Sequence, residues 1–147
     1  MLSKLYYLDY TRHTLLYSLY NLARIEARNT RRKADLKQIS LALDLNFDEH
    51  NAYTQPESIC TDTSYGALGS CGGAGGSGDW DANSDLRDLV SDGFMNKLPI
   101  DPINDATYKY VYEPYNAGEI GYNTAGQAYT LCATLEGGGS FCLNKKY

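Results

Sequence analysis

Residues Leu22 to Phe47, LARIEARNTRRKADLKQISLALDLNF, constrain this chain more than any other stretch. The run holds no Gly or Pro, and Ala, Leu, Arg and Lys are good helix formers. Leu36, Ile39, Leu43 and Phe47 are spaced by three and four, so they form one apolar stripe on a helix. A stripe of that kind needs a sheet or a second helix to cover it. The first half instead carries Arg24, Arg28, Arg31, Arg32, Lys33 and Lys37, read here as a solvated basic surface. The spacing therefore predicts one helix, half stalk and half core element, ending near Asn46 and Asp48-Glu49.

Residues 1–21 extend the same helix. Leu5, Leu8, Leu15, Leu19 and Leu22 follow a helical stripe that Arg12 interrupts, and Tyr6, Tyr7, Tyr10, Tyr17 and Tyr20 add amphipathic aromatic surface. This is not a membrane span, because Lys4, Asp9, Arg12 and His13 break the ~20 apolar residues a span requires. A rod over residues 2–46 on so small a domain cannot bury its own stripe, which predicts packing against other rods. Charge is divided along the chain in the same way. Residues 1–37 hold eight cations and three anions, while the rest hold five cations and fifteen anions. A basic stalk on an acidic head suggests head-to-stalk contacts between copies or a stalk near an anionic surface, and two solvated faces explain the same division.

Beyond Phe47 the pattern changes. Thr61 to Asp79 is rich in Gly and Ser, and reads as a surface loop rather than a phosphate cradle, since no Gly-Lys-Ser/Thr follows. Trp80 to Met95 reads as a short helix with Leu86, Leu89 and Val90 on one face. Leu98-Pro99-Ile100-Asp101-Pro102 reads as a rigid extended crossing. Tyr108–Tyr112, Ala128–Leu135 and Ser140–Leu143 read as strands, the last two joined by a hairpin at Gly137-Gly138-Gly139. The fold class is thus α+β, a long N-terminal helix lying across a small antiparallel sheet. A protruding stalk over 1–35 would adjoin a head over 36–147.

The cysteines at 60, 71, 132 and 142 fall as two close pairs, neither of them C-x-x-C. Four cysteines allow three connectivities. The economical one is Cys60–Cys71 with Cys132–Cys142, which would place the head outside the cytoplasm. Asp79, Asp81, Asn83 and Asp85 put side-chain oxygens at alternate positions, the start of a Ca²⁺ loop, but the glycine and closing glutamate of an EF-hand are missing, and helix capping explains the same residues. No other metal and no cofactor is indicated. His13 and His50 are the only histidines, and no G-x-S-x-G, H-E-x-x-H or dinucleotide fingerprint occurs. No catalytic residue is assigned and the chain reads as a non-enzyme. A basic belt can hold phosphate, but a solvated or intersubunit helix face is the preferred reading, and a formal charge of −5 argues against nucleic acid for the whole.

Three motifs in order resemble the type IV pilin-like family, with the nearest likeness to bacterial type IV pilins and the major pseudopilins of type II secretion. They are Ala27–Ile39 (ARNTRRKADLKQI), the Leu98-Pro99-Ile100-Asp101-Pro102 crossing, and Gly126–Glu136 (GQAYTLCATLE). Together they cover most of residues 22–143. The resemblance implies an extracellular filament subunit at the cell surface. Its N-terminal helices would bundle in the filament core, its heads would form the outside, and its partners would be copies of itself, minor pilins or secretion machinery. Residues 1–21 depart from the pattern. They stand in the place of the family's apolar span but are polar and Tyr-rich, and Leu5 stands where the family carries glutamate. The calcium loop of the secretion pseudopilins would fall over 118–126, which offers only Glu119. The subunit interface is expected at Leu5, Leu8, Leu15, Leu19, Leu22, Arg24, Arg28, Arg31, Arg32 and Lys33. The alternative is a monomeric extracellular binding module or adhesin using the Gly-rich and disulfide-tied loops, for which the rod's stripe has no use.

Overall fold

The computed structural model describes residues 2–54, 59–61, 84–115, 117–118 and 124–147, with side chains in the first helix from Arg12 onward. Helix α1 (Leu2–His50) is a single unbroken rod of 49 residues, about 73 Å long at 1.5 Å per residue. It runs through Asn46 and ends one residue past Asp48-Glu49, the later of the two signals in the sequence. Asn46 does not stop it: this residue is buried inside the last turn, with its amide against His50 Nδ1 at 3.2 Å. The stop is Asn51, which adopts φ 56° and donates its N–H to the Phe47 carbonyl at 2.7 Å. Asn tolerates that left-handed cap better than most side chains do.

The head is a four-stranded antiparallel sheet with one face against α1. Its strands are β1 (Ile59–Cys60), β2 (Tyr110–Pro114), β3 (Ala128–Thr134) and β4 (Ser140–Lys146), in spatial order β1-β2-β3-β4. The expected strand at Tyr108–Tyr112 lies two residues later. Asp105 is the reason: its carboxylate accepts the N–H groups of Thr107 and Tyr108, which holds that segment in a turn. The short β1 was not read from the sequence. The hairpin at the three glycines is present, with Leu135 N–H bonded to the Gly139 carbonyl at 3.0 Å and all three glycines at positive φ. Helix α2 (Ser84–Ser91) is the middle of the helix expected over 80–95: it stops four residues short of Met95, where Gly93 at φ 83° donates its N–H to the Val90 carbonyl and turns the chain, and Trp80 to Asn83 lie outside the described residues.

Period-two alternation sorts the sheet faces. Tyr110, Tyr112, Tyr129, Leu131 and Ala133 point at α1 and are almost wholly buried against Leu36, Ile39, Leu43 and Phe47. Leu86, Leu89 and Leu98 close the core from the side. The tyrosines fit this site because each hydroxyl finds a partner. Tyr110 donates to Asp35 at 2.7 Å, Tyr129 to Ser40 at 2.8 Å, Tyr53 to Asp44 at 3.2 Å and Tyr112 to the Thr54 carbonyl at 2.8 Å. Burial is the main cause holding these four phenols above their ordinary pKa. Tyr53, Tyr110, Tyr112 and Tyr129 thus build the core of the head, where the sequence had drawn attention to the tyrosines of the rod.

Cys132 and Cys142 face each other across β3 and β4 and are joined by a disulfide. Cys60 is also disulfide-bonded; its expected partner Cys71 lies outside the described residues, as does most of the Gly-rich loop.

Candidate assembly site

The stalk and the head meet in a charged clasp above the apolar core. Arg32 is completely buried. Its Nε and Nη2 donate to the two oxygens of Asp101 at 2.7 and 3.0 Å, and its Nη1 donates to Glu136 Oε1 at 2.7 Å and to Asn29 Oδ1 at 2.9 Å. Arg28 forms a second, two-point pair with Glu136, its Nε at 2.6 Å from Oε1 and its Nη2 on Oε2. Asn29 grips the backbone of Glu136 from both sides, accepting its N–H and donating to its carbonyl at 3.0 Å each. The Tyr108 ring lies under the Arg32 guanidinium, 5.0 Å from its carbon to the ring centre.

Local sequence makes these partners available. Asp101 lies between Pro99 and Pro102, and its Oδ1 also accepts the N–H groups of Ile103 and Asn104, so its carboxylate is fixed before Arg32 reaches it. Glu136 precedes three glycines whose positive φ values turn the hairpin back toward α1. The hydrogen bond from Arg28, seconded by Arg32, lowers the Glu136 carboxyl to about pKa 2. Burial by itself would lower the Arg32 pKa, but its bonds to Asp101 and Glu136 more than offset that and raise it.

This arrangement corrects two expectations. Arg28 and Arg32 were placed on an exposed belt meeting neighbouring copies; they are instead bound within their own head. The head also begins to hold the helix at Arg28, two turns before the expected boundary at residue 36. The apolar stripe alone did not show this, but its continuation did carry the signal. Asn29, Arg32, Leu36, Ile39, Leu43 and Phe47 keep the same spacing of three and four. An arginine in register with a core stripe is a candidate buried cation.

The remaining residues expected at a subunit interface divide by position. Leu15, Leu19 and Leu22 lie on the protruding part of α1, each with about 60% of its surface exposed. Leu16, Tyr17 and Tyr20 are similarly bare, and the Arg24 guanidinium sits over the Tyr20 ring at 5.6 Å. Arg24, Arg31 and Lys33 are exposed, with Arg31 3.5 Å from Asp35. The side chains of Leu5 and Leu8 lie outside the described residues. So do Asp79, Asp81, Asn83 and the side chain of Asp85, the proposed calcium set. Among the described residues no cluster of His, Cys, Asp or Glu could hold a metal ion, and no helix is long and apolar enough to cross a membrane.

Beside the clasp, a groove of about 650 Å³ runs along the head between α1 and the segment 94–100. One wall is formed by Arg31, Asp35, Gln38, Leu41 and Ala42, the other by Phe94 through Ile100. Leu41 and Ile100 are exposed at its edges.

No family model, curated protein or solved structure matches the chain.

Proposed function

We propose that the chain is a structural subunit that polymerises through α1 into an extracellular filament of the type IV pilus or type II secretion pseudopilus kind. The observation that carries this reading is the exposed apolar surface of the rod. Placed at 100° per residue, Leu15, Leu16, Leu19, Leu22, Tyr17 and Tyr20 cover about 220° of its circumference. A two-helix seam uses a much narrower stripe. Surface that wide is covered when each rod has several neighbours, as in a bundle, and a single partner leaves much of it in water. The resemblance of Ala27–Ile39, the Leu98–Pro102 crossing and Gly126–Glu136 to pilin-like proteins supports the same reading, as does the disulfide-bonded head. In this reading the clasp has a mechanical purpose. It fixes the rod to the head by buried ion pairs, so that load on one is carried to the other.

Electron microscopy of the full chain beside the L15S/L19S/L22S variant and a chain lacking residues 1–21 tests the proposal. Filaments from the full chain alone are expected. Filaments from the serine variant, or monomers from the full chain at high concentration, would overturn it.

A further inference from the structure

We infer that the groove between α1 and residues 94–100 receives the leucine face of α1 from a second copy, parallel to the first and displaced along it by sixteen residues, about 24 Å. The inference rests on the reading that α1 packs against copies of itself, and adds the place and the register.

Two separate features of the helix are satisfied together by this displacement. The first is apolar. Leu15, Leu19 and Leu22 recur at i, i+4 and i+7, the spacing by which a helix anchors in a groove. Shifted by sixteen positions they come level with Arg31, Asp35 and Gln38, which form the helix wall of the groove. Beyond them lie Phe94, Met95, Pro99 and Ile100, apolar surface for the incoming leucines, with the polar Asn96 and Lys97 between.

The second feature is charge. Lys33 is eleven residues, about three turns, beyond Leu22, so it shares the leucine face. Glu49 is eleven residues beyond Gln38 and shares the groove face in the same way. The sixteen-residue shift that seats the leucines brings the incoming Lys33 level with Glu49. Both are exposed. Other alignments lose this match. In register, Lys33 would meet Lys33 and Arg31 would meet Arg31. Antiparallel through the same groove, with Leu19 still level with Asp35, the incoming Lys33 would lie level with Asn21, far from Glu49. A second copy is therefore the occupant that both charge and spacing select.

Two full-length variants, L22C and Q38C, test this when mixed and mildly oxidised. Both positions are exposed, so neither change disturbs the core. The expected product is a mixed L22C–Q38C disulfide, mapped by mass spectrometry, in excess of the L22C–L22C product that an in-register pair would give. K33E and E49K should each weaken association about fivefold, as one attraction becomes one repulsion, and the K33E/E49K double variant should restore it. Filaments without the mixed disulfide would overturn the groove contact and leave the filament reading standing. The mixed disulfide without filaments would support the contact and end the filament reading. Loss of both would overturn both, whereas association unchanged by K33E and E49K would overturn the contact alone.

Discussion

Replacing Arg32 with methionine tests whether the clasp holds the head to the helix. Methionine keeps most of the length and apolar volume of the stem and removes five donors. The damage falls chiefly on Asp101, whose side chain, like that of Arg32, has no exposed surface. It loses two charge-assisted bonds and keeps only the Ile103 and Asn104 N–H groups. Glu136 loses one bond but retains both from Arg28. Breaking a buried pair by removing one partner costs about 3–5 kcal/mol. The backbone donors left to Asp101 place R32M near the lower end, about 3 kcal/mol. Removing the orphaned charge as well, in R32M/D101N, should recover about 1–2 kcal/mol, because an amide is cheaper to bury than an unpaired carboxylate. The assay is urea denaturation followed by near-UV circular dichroism, which reads the buried tyrosines of the head, with the far-UV signal reporting the rod separately. A loss under 1 kcal/mol for R32M would refute the argument, and so would a double variant no more stable than the single one.

Four further outcomes follow from the same geometry. The Glu136 carboxyl is held at about pKa 2, below its ordinary 4.5, so its contribution is complete above pH ~4.5 and is lost as the pH falls toward 2. Discounted for the solvent that reaches its rim, that contribution is about 2 kcal/mol; E136Q should abolish this part of the acid sensitivity in a pH series of urea melts. Opening the Cys132–Cys142 bond as C132A/C142A should cost about 2–3 kcal/mol, the loop entropy of a separation of 10 residues, seen as a lower urea midpoint. G126A should cost about 1–3 kcal/mol in the same assay, since φ is +77° and the added Cβ would lie 2.9 Å from the Ala52 Cβ. L36A, at a fully buried position of the stripe, should cost about 2–5 kcal/mol, whereas L41A, exposed beside the groove, should cost under 0.5 kcal/mol in the monomer and show its effect only on association.

The parts of the fold that follow from periodicity could be read in the chain. Leu36, Ile39, Leu43 and Phe47 announce a covered helix face, and alternation over Ala128–Thr134 followed by three glycines announces a hairpin. What escaped is set by long-range polar contacts. Arg32 meets Asp101 and Glu136, 69 and 104 positions away, and no local pattern encodes such a meeting. A basic helix surface and a buried ion-pair network have the same composition; only the register of Arg32 with the stripe distinguishes them. The tyrosines were ambiguous for a related reason. Tyr110, Tyr112 and Tyr129 enter the core because Asp35, Ser40 and Thr54 accept their hydroxyls, and those acceptors come from elsewhere in the chain. The groove was not legible at all, since its far wall, residues 94–100, becomes a wall only when the crossing packs beside α1.

Under the proposed assembly, the clasp also changes what salt should do. With six belt cations facing acidic neighbours, association would collapse as salt rises, because exposed charges are screened within ~10 Å at 0.1 M and ~3 Å at 1 M. But Arg28 and Arg32 are consumed inside the head, and Arg31 is already beside Asp35. The groove contact leaves Lys33 with Glu49 as its charge pair, worth about 0.2–1 kcal/mol when exposed. In the proposed contact the leucines would supply the larger share, at about 25 cal/mol for each Å² they bury. Sodium chloride between 0.05 and 0.5 M should therefore weaken association no more than about fivefold, while ammonium sulfate, which favours apolar burial, should strengthen it. Light scattering across both salts separates the cases. A fall of a hundredfold in sodium chloride would mean that charge, not the leucine face, holds the copies together.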